Sequence, residues 1–112
     1  MSVSDKIPGN LEPVPSAYQW LDLVFKSVLS DAHKLVCVVI SKSCTYSRKE
    51  HAQLGLITNY TISRVLHKNQ EEVQDLLDDL LRLGWLCDTG ERMGRKKMYA
   101  LTINLLPEES KT

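Results

Sequence analysis

The sequence predicts a mainly α domain closed by a small β-hairpin, and three observations predict it. Residues 70–83 place Val73, Leu76, Leu77, Leu80 and Leu81 at i, i+3, i+4, i+7 and i+8, one wide apolar helix face, and Gly84 follows as a stop. Residues 31–43 form a second segment, opened by Ser30 and Asp31, whose apolar run from Leu35 to Ile40 predicts an almost wholly buried helix. Two short apolar stretches, 85–87 and 98–103, flank a segment with two glycines and four cations, the pattern of strand, loop and strand.

The remaining elements follow in chain order. Residues 1–16 carry three prolines and a Gly-Asn pair, which predicts an extended arm ahead of the domain at 17–105. Ser16 is placed to cap a helix over 17–29, with Trp20, Leu23, Val24, Phe25 and Val28 near helical spacing. The β-branched run at 35–40 fits a strand as well as a helix. The Ser30 cap and the length of the segment favour a helix. Residues 47–54 read as a short basic helix ending at Gly55, and 56–58 as a short strand pairing with the hairpin. Thr61 is positioned to cap a short helix over 61–67, and Asn69 to cap the helix at 70–83, whose first turn is acidic as the helix dipole prefers. Residues 106–112 read as a polar tail.

With 112 residues the chain is the size of one domain, and 14 cations against 14 acids give a formal net charge of zero. An electrostatic footprint for nucleic acid therefore requires segregated charge. The three cysteines, Cys37, Cys44 and Cys87, form no CxxC, and the histidines do not fall at zinc-finger spacing. They read as small core residues in a reducing cytoplasm. No apolar run is long enough to span a bilayer. No nucleophile elbow, phosphate loop or paired metal ligands occur, so the expectation is a non-enzyme without cofactor or metal.

The segments TISRVLHKNQEEVQDLLDDLLRLGWL and GRKKMYALT carry a resemblance to winged helix-turn-helix domains. In these, a short helix, a capped turn and a longer helix end in a Leu-x-x-Gly-aromatic step, and a hairpin follows. FKSVLSDAHKLVCVVIS is similar to the first core helix of such domains in phage and mobile-element replication proteins. Two registers stay open. TISRVL also resembles the recognition helix of repressors with a Thr-Val-Ser-Arg-Val-Leu string, and Ala52 and Ile62 have the ten-residue separation of that motif, but Gly55 is one position early for it.

The resemblance implies double-stranded DNA as partner, read sequence-specifically. The setting would be the origin-recognition domain of a replication initiator, with other replication proteins as further partners, or a small transcriptional regulator. The longer helix would enter the major groove and the hairpin would touch the backbone. Candidate contacts are Arg48, Lys49, Arg64 and Lys68, the neutral donors Asn69, Gln70 and Gln74, and Arg92, Arg95, Lys96 and Lys97 of the hairpin. Glu71, Glu72, Asp75, Asp78 and Asp79 on the longer helix oppose such docking, because like charges repel phosphates. They motivate an alternative, a protein-docking face for a basic partner. The helix at 17–29, apolar over more than one side, suggests a homodimer through Tyr18, Trp20, Leu21, Val24 and Phe25.

Overall fold

Each helix begins at a side-chain cap written into the sequence. The computed structural model describes residues 7–105. In it Ser16 caps α1 (Ala17–Lys26) by accepting from Gln19 N–H, and Ser30 caps α2 (Asp31–Lys42) through His33 N–H. Thr58 caps α3 (Asn59–Leu66) through Thr61 N–H, three residues ahead of the cap expected at Thr61. Asn69 caps α4 (Gln70–Leu83) through Glu72 N–H. The segment 31–42 is therefore a helix, and 70–83 is the longer helix of the pair α3–turn–α4. Gly84 ends α4 in the left-handed conformation at φ +87. A Cβ there would also meet Leu11 and Asn104 at 2.8 Å, so backbone and space both require glycine.

The strands are β1 (Leu11–Pro13), β2 (Cys44–Ser47), β3 (Ala52–Ile57), β4 (Leu86–Met93) and β5 (Lys96–Asn104). They join in one five-stranded antiparallel sheet, in which β5 is central. β4 runs along one edge of β5. Along the other edge β3 pairs from Ile57↔Lys97 to Leu54↔Ala100, and β1 continues from Pro13↔Thr102 to Leu11↔Asn104. β2 pairs outside β3.

This corrects the predicted fold class. The described residues are about 44% helix and 30% strand, four helices on a five-stranded sheet. The fold is mixed α and β rather than a mainly α winged helix-turn-helix with a small hairpin. The surplus strand comes from three places. Residues 44–57, read as a basic helix and a short strand, form the hairpin β2–β3. The cation-rich segment 89–96, read as a loop, is strand except for a turn at Gly94 and Arg95. And of the arm expected over 1–16, residues 11–13 pair with β5 and Val14 is buried, while 1–6 lie outside the described residues, as does the tail at 106–112.

The core lies between the helices and the sheet. α2 packs against the other three helices and against β3. Val36, Ile40, Ile62, Val73, Leu77, Leu80, Leu86 and Leu101 are buried together around Trp20 and Val24. Trp20 is fully buried, and its indole N–H donates to the carbonyls of Trp85 at 3.1 Å and Thr102 at 3.0 Å. These bonds tie α1 to the β4–β5 end of the sheet. Trp20 and Val24 are thus interior residues and not dimer contacts. Leu21 is half-buried against the same cluster, which leaves Tyr18 and Phe25 as the exposed members of the expected set.

Candidate nucleic-acid interface

The pairing of β5 decides which cations share a surface. β3 stops at Ile57, opposite Lys97, so residues 91–96 run past the rest of the sheet as a two-stranded ribbon. Glu91 to Lys96 are all exposed, and Lys97 is half-buried at the root. Because Ile57 precedes the Thr58 cap, the ribbon leaves the sheet beside the N-terminus of α3. On α3 the exposed Tyr60 and Arg64 stand one turn apart, with the guanidinium 5.8 Å from the ring centroid, a cation–π pair. The register therefore sets Lys97, opposite Ile57, two residues from the start of the helix that carries Arg64, and Lys96 and Arg95 follow outward along the ribbon.

Arg48 and Lys49 do not join this surface. They occupy the β2–β3 turn, exposed, next to His51, whose φ of +55 closes the hairpin. Moving back along β3 from Ile57 to Ala52 travels toward the far end of β5, about 17 Å at ~3.3 Å per residue. That exceeds the Debye length of about 8 Å at physiological ionic strength, so the two basic turns act as separate patches.

The hairpin cations also differ among themselves. Arg92 is held in a two-pronged pair by Asp88, Nη1 to Oδ1 at 3.0 Å and Nη2 to Oδ2 at 3.1 Å. Although partial burial of Asp88 works against it, the Arg92 guanidinium and the Gly90 N–H hold that carboxyl below the ordinary carboxylate range. Arg92 thus spends its fork within the strand. Thr89 to Glu91 form a bulge opposite Met98, fixed by Thr89 Oγ1 donating to the Met98 carbonyl at 3.1 Å. It turns the outer half of β4 into the ribbon.

The neutral donors of α4 are mostly engaged. Asn69 is the cap. Gln74 accepts from Asn59 Nδ2 at 2.6 Å and donates to Asp78 at 2.8 Å, which fastens α4 to the start of α3. Gln70 is exposed. Lys68 lies 3.9 Å from Glu72. The outer face of α4 presents Glu71, Glu72, Asp75 and Asp78, all exposed. Asp79 is drawn aside by His33 Nε2 at 2.9 Å, and the His33 hydrogen bond holds its carboxyl below the usual value.

Tyr60 and Asn59 carry roles that the sequence reading assigned to neither. The available signal was the Thr58-x-x-Thr61 spacing, which shifts the start of α3 upstream and brings both residues onto the helix.

Burial pushes the Cys37 and Cys44 thiols up to about 12, and it raises Cys87 as well, so the three thiols, none in a disulfide, stay protonated at neutral pH. Among the described residues no cluster of His, Cys, Asp and Glu is arranged to hold a metal, and no helix is long and apolar enough to cross a membrane. Set against known proteins, the chain matches no family model, no curated protein and no solved structure.

Proposed function

We propose that this protein is a duplex-DNA-binding module anchored on phosphates by the β4–β5 ribbon and the outer face of α3. The observation that carries the reading is the projection of the exposed Arg95 and Lys96 past the sheet, with Lys97 at the root opposite Ile57, the residue that precedes the cap of the helix bearing Tyr60 and Arg64. Exposed cations on a narrow ribbon can follow a sugar–phosphate backbone, and each phosphate neutralised releases counterions. Base reading by α4 falls mainly to Gln70, since Asn69 and Gln74 are committed within the fold. The replication-initiator and regulator settings use the same anchor. A cytoplasmic location belongs to the same proposal and draws on three cysteines that form no disulfide, two of them buried and Cys44 half-buried.

The test is fluorescence-anisotropy binding to a duplex pool across a salt series. The expected result is affinity that falls steeply with salt. In the Arg95/Lys96/Lys97→Ala variant the slope of log K against log salt becomes shallower by about 2.7, at ~0.9 per phosphate contact. Equal slopes in the two proteins, or no binding at low salt, reject the reading.

A second reading rests on the exposed acids Glu71, Glu72, Asp75 and Asp78, which give α4 an outer face suited to a basic polypeptide. It requires that polylysine bind the wild type and that Glu71/Asp75/Asp78→Ala abolish this while leaving duplex binding intact. Retention of polylysine by that variant counts against it.

A further inference from the structure

The exposed residues of α3 fall on one arc of the helix. At about 100° per residue, Tyr60, Arg64, Thr61 and Val65 stand at roughly 0°, 40°, 100° and 140° around the axis, and all four are exposed. Ile62 and Ser63, both buried, and the half-buried Leu66 take the opposite arc. The open arc thus carries an aromatic ring, a guanidinium, a hydroxyl and a branched apolar group, and α3 holds no acid. α4 differs in every respect. It has five acids against Arg82, and Glu71, Glu72, Asp75 and Asp78 are its outer face. Pressed into a groove, those carboxylates would lie between two rows of phosphates.

Arg64 also differs from the arginines around it. The Arg82 and Arg92 guanidiniums lie against Asp79 at 3.5 Å and Asp88 at 3.0 Å. Among the described residues Arg64 forms no ion pair, and its contact is the Tyr60 ring. The ring holds the guanidinium over the open arc while its N–H donors stay available. A side chain ordered in advance has less freedom left to lose on binding.

Resting on the duplex-binding reading, we infer that α3, and not α4, enters the major groove, and that Arg64 reads a guanine there. A guanidinium offers two N–H donors that match the O6 and N7 acceptors of guanine, the commonest specific contact to a base edge. Val65, 56% exposed, suits the methyl group of a thymine, and the Thr61 hydroxyl can donate or accept at either kind of edge. The Thr58 cap joins α3 to β3 opposite Lys97. Phosphates held by the ribbon and bases read by α3 therefore belong to neighbouring stretches of one duplex.

The experiment begins with selection of a preferred site from a randomised duplex pool by the full chain. Anisotropy then measures binding to that duplex with each guanine replaced in turn by 7-deazaguanine, which lacks the N7 acceptor. At one position wild type is expected to lose about 5- to 150-fold in affinity. Inosine at the same position lacks only the amine of the minor groove and is expected to cost far less. Arg64→Ala is expected to bind the guanine and 7-deazaguanine duplexes equally. Arg64 is exposed, and retention of the fold is read from the urea midpoint. If that variant unfolds, Arg64→Met, which keeps the apolar stem, replaces it with the same expectation. A wild type that binds no duplex rejects the duplex-binding reading itself. Binding without a preferred sequence, or a preferred site in which no guanine is sensitive, overturns the α3 inference alone. So does a 7-deazaguanine penalty that survives Arg64→Ala at every position, above all if Gln70→Ala removes it.

Discussion

The two ends of β5 do opposite jobs. At its C-terminal end Leu101 and Thr102 are fully buried, β1 pairs alongside, and the Trp20 indole bonds the Thr102 carbonyl. Thr102 also donates from Oγ1 to the Gly84 carbonyl at 2.8 Å, which locks the exit of α4. At its N-terminal end Lys97 is the last residue held in the sheet, and Lys96 continues into a ribbon exposed on both strands. One strand thus joins a closed core to an open basic edge. A projecting ribbon keeps its aim only if its other end cannot shift. Substitutions at the closed end should therefore act on stability, and substitutions at the open end on binding.

The largest effect is expected at the closed end. Trp20→Ala should destabilise the chain by about 3–5 kcal/mol in urea unfolding, from the lost packing of a large core side chain. It also strips a partner from two carbonyls. Trp20→Phe keeps most of the packing and should cost about 1–3 kcal/mol for the unmet hydrogen bonds. At the open end Arg95/Lys96/Lys97→Ala should leave the unfolding midpoint within error. Between 50 and 200 mM salt, wild-type affinity should then fall about 40-fold more than that of the variant, from the three lost phosphate contacts. A variant that unfolds early would break the division between the two ends.

A smaller effect comes from the other basic turn. Arg48/Lys49→Ala should change duplex affinity less than about twofold, because the turn lies more than a Debye length from the ribbon. A loss as large as that of the ribbon variant would mean that both turns touch one ligand. The smallest effect sharpens the open end. Asp88→Asn releases Arg92 and should raise affinity by a few fold. The same substitution has a pH signature. The Asp88 carboxyl is depressed in the folded state, so its stabilising contribution is present above the unfolded value near ~3.9 and is lost as pH falls through the folded one. Urea midpoints measured below about pH 4 should accordingly decline less steeply in Asp88→Asn than in wild type.

The helices were legible because their signals are local. Ser16, Ser30 and Asn69 cap where the sequence indicates, and the apolar spacing from Val73 to Leu80 is the buried face of α4. The hairpin β2–β3 was not legible, because its turn is closed by His51 rather than by glycine and its strands gain stability only by pairing with β5, some forty residues on. Gly55 read as a helix stop. Its actual constraint is close packing, since a Cβ there would meet Cys44 Sγ at 2.7 Å and the Ser43 carbonyl oxygen at 2.9 Å. Gly90 likewise suggested a loop, although it sits in a bulge within a continuous strand. The cations of the site could be read as a set, but their division into two patches depends on strand register. The pairs that occupy Arg92 and Gln74 depend on side chains brought together by the fold, Asp88 across the bulge and Asn59 from the facing helix.

Site-directed photocrosslinking tests the ribbon most directly. Burial raises the three native thiols and so disfavours their alkylation, and a cysteine introduced at an exposed position is labelled with a benzophenone maleimide, with wild type treated in parallel as the background. Met93→Cys places the probe on the ribbon without removing a cation, and Thr45→Cys places it on β2, away from the ribbon. Irradiation with duplex DNA at low salt should give a covalent protein–DNA adduct from position 93 and none from position 45. Adducts from position 45 alone, or equal yields from the two, would contradict the assignment of the open end of β5 as the phosphate anchor.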